Sequence, residues 1–164
     1  MENKLIKTPK SYVTITISDC DIMGHLNNIK YLEYFINARE EHLWEAYQLR
    51  IMDYVKTGIG WVVGSHEIKY LRPVIYYDKV CIRTAVIKIA ASELIVESVM
   101  MDEQENSLKS ILWTTFVPVE VKSGKRAQHP ESFMEFAESV VLQNIDFEAG
   151  IAGRIKALKM DLKS

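Results

Sequence analysis

Ser18-Asp19-Cys20-Asp21-Ile22-Met23-Gly24-His25-Leu26-Asn27-Asn28-Ile29-Lys30-Tyr31 joins two kinds of chain. Upstream, Tyr12 to Ser18 reads Tyr-Val-Thr-Ile-Thr-Ile-Ser, with Val13, Ile15 and Ile17 on one side. A period of two predicts a half-buried strand. Downstream, Ile29, Leu32, Ile36, Leu43 and Tyr47 recur at near-helical spacing, and Phe35 and Ala38 widen the stripe. Neither Gly nor Pro occurs from Leu26 to Lys56, so a helix of about five turns is expected from Ile29 to Tyr47. Asn27 or Asn28 is its expected N-cap, because an Asn side chain accepts from first-turn amides. Asp19, Asp21, His25 and the two Asn residues are therefore crowded into one strand-to-helix junction. A fold can place a carboxylate there beside the bare amides of a helix N-terminus.

After the break at Thr57-Gly58-Ile59-Gly60, strand-like segments follow closely: Trp61 to Leu71, Asp78 to Ala90, Glu93 to Asp102 and Ser107 to Val117. Their connections are too short for parallel crossovers, so the strands are expected to be antiparallel neighbours. Both faces of the Asp78–Ala90 strand are partly apolar: Val80, Ile82 and Val86 on one, Cys81, Ala85, Ile87 and Ile89 on the other. A helix on one face and a partner subunit on the other would account for that. Gly64 suggests a bulge or a close backbone approach. His129-Pro130-Glu131-Ser132 opens a short second helix through Phe133, Phe136 and Val140, with Pro130 suited to its first turn. Ile151, Ile155, Leu158 and Leu162 outline a weak amphipathic helix in the tail, weakened by Gly150 and Gly153. Strands gathered against a segregated helix indicate an α+β domain, most economically a five-stranded antiparallel sheet curled around one long central helix.

The chain has 164 residues and a net charge of -2. One domain is expected, and the charge gives no electrostatic case for a nucleic-acid partner. Cys20 and Cys81 do not make a disulfide framework and suit a reducing compartment. No apolar leader and no membrane-length apolar run is present, so the expected setting is cytoplasmic.

The run Asp19-x-Asp21-x-x-Gly24-His25-Leu26-Asn27-Asn28-x-x-Tyr31 resembles the D-x-D-x-x-G-H-[VL]-N-N-x-x-Y signature of hot-dog-fold thioesterases, in particular the 4-hydroxybenzoyl-CoA thioesterase-like and acyl-CoA thioesterase group. Arg72-Pro73 ahead of Asp78 is similar to that family's R-P-x-x-x-x-D pattern. The resemblance implies a hot-dog domain over residues 1–140, with residues 141–164 as a C-terminal extension. It implies a homodimer or homotetramer with shared active sites, an acyl-CoA or acyl carrier protein thioester as substrate, and no metal or other cofactor. The family's catalytic carboxylate falls on Asp21, and the backbone N–H that polarises the thioester carbonyl falls on Asn28.

Thioester hydrolysis needs a group that activates water or attacks the carbonyl carbon, and donors that stabilise the oxyanion. The junction offers both. Asp21 is the expected general base or nucleophile; the competing reading is a solvated turn Asp. His25 is a second candidate, to orient the thioester or share a proton with the leaving thiolate. Asn27, Tyr31 and Arg72 are the candidate substrate-binding positions, with Arg72 as a phosphate contact. In an extended segment Asp19 would point to the same side as Asp21, yet a framework role is expected for Asp19, and a small buried role for Cys20. His66 and Glu67 are adjacent on a strand and face opposite sides, so His66 is read as a sheet residue. Three rivals compete: a module on the same fold that binds an acyl chain or carrier without hydrolysis; a hydratase or isomerase on the same scaffold, whose motif differs; and a magnesium-dependent phosphoryl-transfer enzyme built on Asp19-x-Asp21. The phosphoryl-transfer reading calls for alternating β-α units, which this sequence does not offer.

Overall fold

The computed structural model describes residues 4–164. Strand β1 spans Lys10–Thr14, a single 3-10 turn spans Ile17–Asp19, and helices α1 and α2 span Lys30–Tyr47 and Ile51–Lys56. Strands β2 (Ile59–Tyr70), β3 (Lys79–Ala90), β4 (Glu93–Asp102) and β5 (Leu108–Glu120) follow, then helices α3 (Glu131–Val140) and α4 (Gly150–Asp161). The five strands form one sheet in the order β1-β3-β4-β5-β2, every pair antiparallel. The expected α+β architecture is therefore present, with α1 across the inner face. Gly64 lies where the β2–β5 register shifts between Val63 and Ser65, as a bulge requires.

Alternation along β3 splits its side chains between two cores. Val80 and Ile82 join Ile15, Tyr31, Phe35, Ala38, Met100 and Leu112 beneath α1. Cys81, Ala85 and Ile87 join Val99, Met101, Ile111 and Trp113 on the outer face, and α4 closes that cluster with Ile151 and Leu158. The expected subunit on this face is thus replaced by the chain's own C-terminal helix. At its centre the buried Glu97 accepts from Trp113 Nε1 at 3.0 Å and from Arg154 Nε and Nη2 at 2.9 Å each. A paired, hydrogen-bonded carboxylate is the form in which such a charge is tolerated in a core.

Other expectations need correction. The strand predicted to reach Ser18 ends at Thr14, and Ile17 to Asp19 turn instead into the 3-10 segment. Neither Asn27 nor Asn28 is the N-cap: Ile29 occupies that position with helical backbone and caps nothing with its side chain. The buried face of α1 is Tyr31, Phe35, Ala38 and His42: of the predicted stripe, Phe35 and Ala38 lie on it and Leu32 packs against the same core, while Tyr31 and His42 are not in the stripe. Ile29 and Ile36 are exposed. Turning about 100° per residue, the line Ile29, Leu32, Ile36, Leu43 and Tyr47 centres on the flank of α1 beside the buried face. That flank is the β2 side. Arg39 sits over the Phe116 ring on β5 and Tyr31 stacks edge-on with Tyr70 on β2. Tyr34 and His42 instead reach Asp19 and Ser11 near β1.

Candidate active site

The junction between β1 and α1 is a small hairpin. Cys20 bridges Leu26, the Asp21 N–H donates to the His25 carbonyl at 2.8 Å, and the Asn27 N–H donates to the Asp19 carbonyl at 2.9 Å. Its turn closes through the Gly24 N–H to the Asp21 carbonyl, with Gly24 at φ 74°. Such a left-handed residue at the tip favours glycine, which lacks the Cβ that would clash. The loop before β3 clamps the hairpin from outside: Leu26 N–H donates to the Val74 carbonyl, Tyr76 N–H to the Gly24 carbonyl, and His25 bridges Ile75.

Within this frame the two carboxylates do different things. Asp21 is exposed, and its Oδ1 accepts from the backbone N–H groups of Met23 at 2.9 Å and His25 at 3.1 Å. No partner is recorded for Oδ2 among the described residues, so one oxygen is fixed by backbone while the other faces outward. Asp19 is not extended beside it. It ends the 3-10 turn, and its Oδ2 accepts from Tyr34 Oη at 2.6 Å and Thr16 Oγ1 at 3.0 Å, with Lys30 Nζ at 3.8 Å from Oδ1. The Tyr34 hydroxyl holds the Asp19 carboxyl below the usual carboxylate range, helped by Thr16 and Lys30. Asp19 thus ties the second turn of α1 to the junction, the framework role expected of it.

Asn27 Oδ1 accepts from the Ile29 N–H at 3.1 Å, and its carbonyl accepts from the Lys30 N–H at 2.8 Å. It therefore organises the entry to α1 from two residues outside. Asn28 gives its carbonyl to Tyr70 Oη at 3.0 Å, and its own N–H has no partner among the described residues. That leaves a bare amide at the positive end of an 18-residue helix, where negative charge is stabilised. His25 is half-buried next to this turn, and its ring nitrogens have no hydrogen-bond partner among the described residues.

The other candidates are placed elsewhere. Tyr31 is 2% exposed and belongs to the core against Tyr70, so it is not at the surface with the others. Arg72 is exposed, on the loop that clamps the hairpin, and its guanidinium donates to Ser107 Oγ at 3.3 Å. His66 pairs with Thr114 Oγ1 at 2.9 Å, the sheet role expected of it. Cys20 is half-buried with Sγ 3.5 Å from the Thr16 carbonyl; desolvation and the neighbouring aspartates push its thiol up. Tyr70, which fixes the Asn28 carbonyl, and Tyr34, which fixes Asp19, are positional residues that spacing alone does not single out.

A second feature lies at the other end of α1. A cavity of about 160 Å³ runs beneath the last turns of the helix, lined chiefly by Arg39, Leu43, Trp61, Val96, Phe116 and Phe136. Its polar edge is His42, buried between Thr84 Oγ1 at 2.7 Å and Ser11 Oγ at 2.9 Å, with its pKa lowered by burial to about 4.

Comparison with known proteins agrees with this frame. The model of the thioesterase-like superfamily matches residues 15–137. A long-chain acyl-CoA thioesterase, FadM, of Escherichia coli strain K12 is 26% identical over 121 residues, 74% of this chain and 90% of that protein. The crystal structure of a probable thioesterase from Escherichia coli, YbaW, superposes with a TM-score of 0.71 at 23% identity, over 81% of this chain and 98% of that one. A DHNA-CoA thioesterase from Staphylococcus aureus gives a TM-score of 0.71 at 18% identity, over 94% of each chain.

Proposed function

The chain belongs to the thioesterase-like superfamily, and from that premise we propose that it hydrolyses an acyl-CoA thioester to a free acid and a thiol, using Asp21 and the bare amide of Asn28. The observation that carries this reading is the Asp21 carboxylate, with one oxygen held by two backbone amides and the other free. A fixed carboxylate with an open oxygen suits a general base. It takes a proton from water as the water oxygen bonds to the carbonyl carbon. The carbonyl oxygen gains negative charge, which the Asn28 N–H and the α1 terminus stabilise. The C–S bond then breaks, and the proton passes from Asp21 to the departing thiolate. Direct attack by Asp21 through a mixed anhydride uses the same groups. His25 flanks the carboxylate, Asn27 holds the donor turn, and Arg72 is the candidate contact for the phosphates of the thiol carrier. A carrier-protein thioester is accommodated by the same chemistry.

We read the active unit as a homodimer. Strand β2 is a sheet edge of 12 residues, exposed continuously from Val62 to Glu67. A long unpaired edge is a template for another strand. Beside it lies the exposed apolar flank of α1, with Ile29 and Ile36. A second copy pairing its own β2 antiparallel about a two-fold axis would cover both.

A panel of acyl-CoA thioesters followed by free-thiol release tests the reading. Wild-type protein is expected to turn over, and Asp21→Asn to lose about a thousandfold or more with an unchanged melting temperature. Tight binding without thiol release would instead make the chain a carrier module, and full activity in Asp21→Asn would remove Asp21 from the chemistry.

A further inference from the structure

We propose that helix α4 docks the protein on an anionic lipid surface through the lysine strip Lys156, Lys159 and Lys163. The proposal goes beyond the thioesterase reading and stands independently of it.

Charge is unevenly distributed along the chain. Residues 150–164 hold Arg154, Lys156, Lys159 and Lys163 against Asp161 alone, whereas residues 1–149 hold sixteen basic and twenty-one acidic side chains. A net-acidic body with a basic helical tail points to a polyanionic partner for the tail. The fold decides which of these charges face outward. Ile151 and Leu158 are buried in the outer-face core, and Arg154 is engaged by Glu97 through two bonds of 2.9 Å. These anchors fix the rotation of the helix. Lys156, Lys159 and Lys163 are all exposed, and none of the three ammonium groups has a partner among the described residues. Their spacing of i, i+3, i+7 sets them in one strip about 60° wide and about 11 Å long. Helical turns continue to its end: the Leu162 N–H donates to the Leu158 carbonyl and the Lys163 N–H to the Met160 carbonyl. Asp161 falls on the far side of Met160, outside the strip.

Local stability does not account for this arrangement. A cation in the last turn complements the helix dipole, which covers Lys159. Lys156 lies a turn earlier, and Lys163 lies beyond the helix. Like charges at these spacings repel one another, and an anionic surface relieves that repulsion. Met160, 72% exposed, borders the strip. An apolar side chain beside lysines is what an interfacial helix sets at headgroup depth, with the lysine stems lying along the surface. Lysine, a point charge on a flexible stem, suits mobile headgroups, whereas bidentate capture of one fixed phosphate calls for arginine. The contact is peripheral, since no helix among the described residues is long and apolar enough to cross a membrane. Two copies paired through β2 would keep both outer faces on one side of a continuous sheet and present two strips to the same plane.

Vesicle co-sedimentation of the full chain tests this. Wild type is expected to sediment with phosphatidylcholine vesicles containing about 30% phosphatidylserine and not with pure phosphatidylcholine, and to be released in about 0.5 M NaCl, where exposed charges are screened. Lys156→Gln/Lys159→Gln/Lys163→Gln should weaken binding about a hundredfold, at roughly fivefold per lysine, with an unchanged melting temperature. The corresponding arginine triple should keep it. Lys56→Gln/Lys122→Gln/Lys125→Gln removes the same charge from exposed sites elsewhere and should bind as wild type does. Wild type that ignores anionic vesicles, equal binding to neutral ones, or equal losses in the two glutamine triples would overturn the docking surface. Tighter binding to duplex DNA than to the vesicles would overturn it too, and would make the tail a nucleic-acid contact.

Discussion

Helices α1 and α4 cover opposite faces of the same sheet with different chemistry. α4 seals the outer face: Ile151 and Leu158 complete an apolar cluster, and the buried Glu97 is saturated by Arg154 and Trp113. α1 leaves its face unfinished. It carries a bare amide at its start, an exposed apolar flank along its length and a cavity beneath its end. Closed packing serves stability, whereas unfinished surface is where a substrate or a second copy finds room. Changes on the outer face should therefore move stability and spare the chemistry, and changes around α1 should move both.

The largest effect is expected at Glu97. In Glu97→Ala the Arg154 guanidinium stays largely buried without its acceptor, which typically costs about 3–5 kcal/mol. Urea unfolding should show that loss, while kcat per folded molecule stays at wild type. A folded variant with a tenfold lower kcat would break the division between the faces.

His42 gives the next effect, on the α1 side. Burial holds its pKa near 4, below the ordinary 6.5. The unfolded chain therefore takes up a proton as pH falls through 6.5, and the folded chain resists until about 4. Stability is present above that window and is lost across it on acidification, by about 3 kcal/mol at most. Stability curves of wild type and His42→Gln should converge as pH drops from 7 to 4. Parallel curves would mean that the buried imidazole contributes nothing.

The contrast between faces also explains what the sequence concealed. Glu93 to Asp102 was legible to the residue because its alternation and flanking turns are local, and so were the length of α1 and the tail helix. The orientation of α1 was not. Phe35 and Ala38 of the expected stripe are buried, but Ile29 and Ile36 are not, and the helix also buries Tyr31 and His42, whose polar atoms find partners only once β1, β3 and the loop before β3 are in place. Periodicity measures apolar surface, and an apolar line left exposed looks the same as core. α2 gave no signal either: α1 stops at Gln48, left-handed at φ 53° without any glycine. Asp21, His25 and Asn28 were legible as a cluster because the turn residues are contiguous in sequence. Tyr34 and Tyr70 were not, since each acts through a contact made by the fold.

Tyr34→Phe sharpens the comparison at smaller scale. It removes the donor that holds the Asp19 carboxyl low. A hydrogen bond to a charged group contributes about 1.5–3 kcal/mol, reduced here by solvent access to Asp19, so a loss near 1–2 kcal/mol is expected. Measured by NMR titration, the Asp19 pKa should rise in the variant. An unmoved pKa would show that Thr16 and Lys30 suffice.

Tyr70→Phe should give the smallest change in stability and is the most discriminating. The hydroxyl donates to the Asn28 carbonyl from an exposed position, and one neutral hydrogen bond is worth about 0.5–1.5 kcal/mol. The ring stays in place and keeps its edge-on contact with Tyr31. What changes is the peptide that follows Asn28, and with it the turn that carries the bare amide. In the proposed mechanism that amide is the oxyanion donor, and displacing it lowers the rate of the chemical step more than it weakens substrate binding. Tyr70→Phe should therefore lower kcat about tenfold with little change in KM, out of proportion to its effect on unfolding. A change in stability alone would place Tyr70 with Glu97, as packing.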